Sequence, residues 1–193
     1  MVNYSYMMLP DFENITNKEA KAYFEKFVAD IPERIAILEE YANKQCGANI
    51  PFDYTVESLK PLWAWFETVM AVEEMTEEDI KRELSEHADW MKEIILQDTT
   101  QETLETIAIS LDIAVYFAEV FRRHNAEKIY WTYIARSKRH ASYNRPVLKG
   151  FINNVDMDAV ILMSVATKRS LREKKSDRLI EIYSKWLEYI PKD

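Results

Sequence analysis

Glycine is nearly missing from this chain, at 2 of 193 residues, where ~7% is usual. Phosphate-cradling loops and dinucleotide-binding turns need several glycines close together so that the backbone can approach the anion. Gly47 and Gly150 stand far apart, which excludes both. Folds rich in tight turns are disfavoured for the same reason, and the expectation moves toward helices. A single cysteine, Cys46, rules out an internal disulfide and suits a reducing compartment. No Cys-x-x-Cys, His-Glu-x-x-His or Gly-x-Ser-x-Gly occurs, so zinc and serine-hydrolase chemistry have no support. The longest nearly apolar run, Ala159 to Ala166, is far short of the ~20 residues that span a bilayer. The N-terminus lacks the basic and apolar regions of a signal peptide. The expectation is a cytoplasmic protein with no membrane partner and no cofactor.

What the chain does have is a large apolar fraction. With 48% hydrophobic and 30% charged residues it reads as one globular domain over residues 1–193. The formal net charge is −8, unevenly divided. Residues 1–100 hold 9 Lys and Arg against 21 Asp and Glu, whereas residues 101–193 hold 16 against 12. An acidic protein is a poor general binder of nucleic acid.

Helical spacing dominates the pattern. Residues 1–15 read as irregular. Thr16 with Glu19 forms a capping box for a first helix, Pro32 suits the first turn of a second, and Gly47 stops it. Thr55 opens a third helix with Leu59, Leu62, Trp63, Phe66 and Met70 on one face. Thr76 with Asp79 opens a fourth, through Leu84, His87, Trp90, Met91 and Ile94. Thr100 caps the fifth. Residues 128–152 switch to aromatic and β-branched composition and predict an antiparallel hairpin, with a basic loop over Ser137 to Arg145 and Pro146 at a strand start or edge. Asp156 or Asp158 begins a sixth helix and Ser176 a seventh. The fold class predicted is mainly α, a single-domain bundle of about seven helices with a small antiparallel β-hairpin inserted after helix five.

The fifth helix carries the sharpest signal. Over Leu111 to Arg123 it is apolar around most of its circumference, as a central helix must be. Asp112, Tyr116, Glu119 and Arg123 share one narrow stripe, which Glu105 extends. Carboxylates there must meet water in a cleft, a cation or a donor. Asp112, Tyr116, Glu119 and Trp131 are therefore the ligand-cleft candidates. A plain structural network is the competing expectation, with Glu119 paired to Arg123 at i,i+4 and Tyr116 covering Asp112. Metal binding would need further ligands such as Glu-x-x-His on neighbouring helices, and none is present, so no metal or catalytic residue is assigned.

The segment from Lys128 to Arg145 interleaves cations with aromatic rings. Arg136, Lys138, Arg139, His140 and Arg145 are candidates for binding an acidic partner protein; the same composition suits single-stranded nucleic acid less well in a chain of this charge. His87 four residues after Glu83 reads as a surface pair, and His124 as a favourable charge at a helix C-terminus. Cys46, also at a helix C-terminus, is a poor nucleophile. Trp63, Trp65 and Phe66 read as core.

Two short motifs add a resemblance. Phe52-Asp53-Tyr54-Thr55-Val56-Glu57-Ser58-Leu59, and Tyr116-Phe117-Ala118-Glu119-Val120 followed by Trp131, together resemble a loose group of uncharacterised bacterial helical domains. That group pairs an Asp-x-Ser/Thr-x-x-Ser-Leu helix start with a later Tyr-x-x-Glu helix. The likeness spans about residues 52–131, with Ala118 where such domains often carry glycine. It implies a helical fold and no particular activity. Some similar small acidic bacterial proteins act as immunity factors against toxins. The functional expectation is a non-enzymatic protein that binds another macromolecule, either an acidic partner at the Arg136–Arg145 loop or a basic toxin at the acidic N-terminal half. The alternative is a small-ligand binder or enzyme with a cleft floored by Asp112, Tyr116 and Glu119.

Overall fold

The computed structural model describes residues 9–46 and 49–192, with the backbone alone at residues 45 and 46. Among them are seven α-helices and two antiparallel two-stranded sheets. In order they are α1 (Asn17–Cys46), α2 (Leu59–Val69), β1 (Val72–Glu74), α3 (Glu77–Glu86), α4 (Asp89–Gln97), β2 (Thr100–Glu102), α5 (Leu104–His124), β3 (Tyr130–Tyr133), β4 (Pro146–Lys149), a 3₁₀ turn at Ile152–Asn154, α6 (Ala159–Arg172) and α7 (Arg178–Leu187). The mainly α fold class with a hairpin after the long central helix is therefore the observed one.

α5 is the axis of the molecule. Every residue from Ala108 to Phe121 is buried, as its circumferential apolarity requires. α1 and α6 pack along it, while α2 lies against α7. β3 and β4 pair in the register Trp131↔Leu148 and Thr132↔Val147, with Pro146 at the start of its strand. Gly150 follows at φ +113, and a Cβ there would sit 1.9 Å from the Lys128 carbonyl oxygen. That crossing explains one of the two glycines. The loop between the strands anchors the N-terminal segment: buried Asn144, at φ 60, donates its amide to the carbonyls of Phe12 (3.1 Å) and Ile15 (3.2 Å).

Local signals place several boundaries correctly. The Thr16–Glu19 and Thr76–Asp79 capping boxes are both formed, and Asp158 caps α6 by accepting from the Ile161 amide. Others are corrected. The first and second helices are one, because Phe27, Ile31, Ile35, Leu38 and Ala42 bury a continuous stripe that carries α1 through Pro32. An interior proline costs a helix ~3 kcal/mol, and this buried stripe offsets it. The fourth helix divides at His87 and Ala88, both extended at the break, into α3 and α4. Thr100 lies in β2, and Thr103 caps α5 by accepting from the Thr106 amide. The N-cap of α7 is Asp177 and not Ser176. Gly47 and the Cys46 side chain fall outside the described residues.

The β1–α3–α4–β2 segment differs from the rest. Its ends are tied by the β1–β2 ladder, Val72↔Glu102 to Glu74↔Thr100, and by the Thr103 amide donating to the Ala71 carbonyl at 3.1 Å. Not one residue from 71 to 103 is buried. This acidic arm holds eleven Asp and Glu against three Lys and Arg, a net −8 that equals the charge of the whole chain. The remaining body is neutral.

Candidate functional site

The stripe on α5 splits into three environments. Asp112 is fully buried and receives the Arg34 guanidinium in a two-pronged pair, Nε to Oδ1 at 2.8 Å and Nη2 to Oδ2 at 2.5 Å. It floors no cleft. One turn along, the Tyr116 hydroxyl meets the Ser58 hydroxyl at 2.7 Å and accepts the Tyr54 amide at 3.1 Å. Burial pushes the phenol above its ordinary value, against the opposing pull of those two bonds. Tyr116 thus holds the 52–58 turn in place. Both side chains are buried, and these bonds turn Asp112 toward α1 and Tyr116 toward the 52–58 turn. Glu105 begins its own contact, accepting from the Tyr41 hydroxyl.

Glu119 lies at a cleft, though buried beneath it. Oε1 accepts Arg122 Nε (2.8 Å) and Trp131 Nε1 (2.7 Å), and Oε2 accepts Arg122 Nη2 (2.9 Å) and Arg123 Nε (3.3 Å). Four donors fill the usual capacity of a carboxylate. Burial alone pushes the carboxyl up, but the bonds from Arg122 and Trp131 together with the guanidinium charges outweigh it and hold the group below its ordinary 4.5. A saturated, ionised carboxylate is neither a general base in waiting nor a metal ligand. Among the described residues no cluster of His, Cys, Asp and Glu fits a metal ion.

Above Glu119 opens a cleft of about 370 Å³. Tyr54, Tyr130 and Trp131 form its aromatic walls, Val28, Ile31 and Pro32 of α1 its apolar side, and Arg122 and Arg123 its rim. Pro32 has no N–H, so the Val28 carbonyl beside it loses its helical donor. Tyr54 sits at φ 62, a rare conformation for a bulky residue. Three contacts hold it there: the Tyr116 bond, His124 Nε2 at 3.0 Å from the Tyr54 carbonyl, and the Arg123 guanidinium 3.5 Å over its ring. Trp131, half-buried, also stacks edge-on against Phe27. Of the four cleft candidates, the structure brings Glu119 and Trp131 together. The Glu119–Arg123 pair expected at i,i+4 is formed, while Arg122 as a partner of Glu119, and Tyr54 and Tyr130 as cleft walls, were missed. The i,i+3 spacing of Arg122 from Glu119 was the available signal.

The basic loop does not stay together either. Arg145 turns inward, its Nε 2.8 Å from Asp158 Oδ2 and its guanidinium over the Phe12 ring. His140 accepts the Ser142 amide on Nδ1, with Nε2 3.6 Å from Asp156. Arg136, Lys138 and Arg139 are exposed. His87 pairs with Glu83 of its own helix, and Trp63, Trp65 and Phe66 are core. A second buried network went unread in the sequence: Glu67 Oε1 accepts the Ser170 hydroxyl (2.7 Å), the Lys175 amide (2.6 Å) and Trp63 Nε1 (3.2 Å), stitching α2 to the α6–α7 connection.

Among the described residues no helix is long and apolar enough to cross a membrane. No family model, curated protein or solved structure matches the chain.

Proposed function

We propose that this protein acts by binding a basic protein through its acidic arm, residues 71–103. The observation that carries this reading is that no residue of the arm is buried while the arm holds the net charge of the whole chain. Its exposure is not merely polar. Trp90 and Ile94, one turn apart on α4, are 73% and 57% exposed, and Leu96 is 58% exposed. Tryptophan with aliphatic neighbours inside a charged rim is the composition of an interface hot spot. Local bonds keep the charge in place. The Thr76 hydroxyl and amide hold Asp79 below its ordinary value, Lys92 does so for Asp89, and Thr100 for Asp98.

A cationic partner gains attraction at long range and a faster encounter. A second copy of this chain meets repulsion at the same surface, so self-association through the arm is disfavoured. A basic toxin neutralised by an immunity factor is one partner with this chemistry. Of the two binding surfaces expected from sequence, the Arg136–Arg145 loop and the acidic N-terminal half, this reading favours the second, in which most of the arm lies; the cations of the loop are divided between surface and interior.

The test compares the parent protein with W90S/I94S as baits in extracts of the native cells, followed by reconstitution with the purified partner. Exposed substitutions of this kind move stability by within ~0.5 kcal/mol, so the variant keeps its fold. The reading expects a protein of basic isoelectric point on the parent, about tenfold or more weaker on the variant, with affinity falling as salt rises. Recovery of no specific partner, or equal binding by both baits, contradicts it.

A further inference from the structure

We infer that the cleft above Glu119 is a site for a small organic oxyanion, a carboxylate or phosphate ester carried on a flat ring. Of the acids expected to floor it, Asp112 is not in the cleft lining. Glu119 is saturated, and its role is to orient the two arginines that rim the opening. Arg122 spends Nε and one Nη2 hydrogen on Glu119, and Arg123 spends only Nε. A guanidinium carries five N–H donors, so seven remain on the pair, with no partner for them among the described residues. Their side chains are 31% and 46% exposed. Two guanidiniums over one carboxylate leave a local charge of +1, in a body whose formal charges sum to zero.

Arginine is the residue for this task because its planar fork matches the two oxygens of a carboxylate or phosphate. The fork is already set here: Glu119 fixes both side chains, and Tyr54 supports Arg123 from beneath. Pre-organisation of this kind lowers the cost of binding. Tyr54 is held at φ 62, and backbone strain that the surroundings over-determine is characteristic of ligand sites. Trp131 and Tyr130 supply faces for a ring, and about 370 Å³ lies in the range of small-molecule sites.

The experiment titrates the full-length protein with phenyl phosphate, benzoate, inorganic phosphate and neutral benzyl alcohol, following the Trp131 indole N–H and the arginine Nε–H resonances by NMR. The expected result is a saturable shift of Trp131, Arg122 and Arg123 with phenyl phosphate or benzoate, a weaker one with inorganic phosphate and none with benzyl alcohol. Which of the two ring-bearing anions binds tighter tells phosphate from carboxylate. R123A removes the weakest of the four bonds to Glu119, so the protein stays folded, and should weaken binding about tenfold; R123K should restore part of it. W90S/I94S should bind as the parent does, which separates this site from the arm. An absent or unsaturable response overturns the inference, as does an unchanged affinity in R123A. So do shifts of equal size at exposed Arg136 and Arg139, which would mark loose ion pairing.

Discussion

At the scale of single residues, α5 shows how burial decides what a carboxylate is for. Asp112 and Glu119 lie two turns apart on the same stripe, and both are paired with arginine. Asp112 meets Arg34 in the interior, where removing one partner strands a charge. Asp112→Ala should destabilise the protein by about 3–5 kcal/mol, while R34M/D112L should recover most of that loss, since an apolar pair can replace a buried ion pair. Urea unfolding of both variants checks this. Glu119 is held below 4.5, so its contribution to stability is complete above that value and fades as pH falls through the lower, folded-state value. E119Q should therefore be less stable than the parent at neutral pH, with the gap closing as acid is added. A gap that stays constant with pH would deny the pairing. The stripe itself was legible from periodicity alone. So was the Arg123 partner of Glu119, but the distant partners were not: Arg34 is 78 positions from Asp112, and nothing local marks a pairing at that distance.

Elements were legible where the signal was local and lost where packing overrode it. Capping boxes placed the starts of α1 and α3, because the side chains that satisfy the end amides lie three residues away. Pro32 was read as a boundary because the local cost is real, yet Ile31 and Ile35 bury the same stripe on both sides of it. The β1–β2 pair was missed since three-residue strands of unburied, mostly polar residues leave no alternation to detect. Leu84, Trp90 and Ile94 mimic a core face by spacing, although α3 and α4 bury nothing. Gly150 was counted in the sequence and not understood, because its reason is the Lys128 carbonyl that its α-carbon approaches. Gly150→Ala should cost about 3 kcal/mol or more, from the positive φ and the clash together, and should lower the thermal midpoint. A midpoint within a degree of the parent would show that the hairpin gives way freely.

At the scale of the molecule, charge and burial divide the chain along the same line. A neutral body is wound around α5, and an acidic arm with an exposed tryptophan is attached where Ala71 meets Thr103. The acidic bias of the N-terminal half was visible in the sequence, but its confinement to one unburied segment needed the fold. The most direct test of this division replaces residues 72–102 by an Asn-Gly turn, which can join the paired residues Ala71 and Thr103 as a hairpin. The shortened protein should fold, unfold cooperatively close to the parent's midpoint, and fail to hold the basic partner that the parent retains. A body that cannot fold without the arm, or one that still binds the partner, would contradict the account.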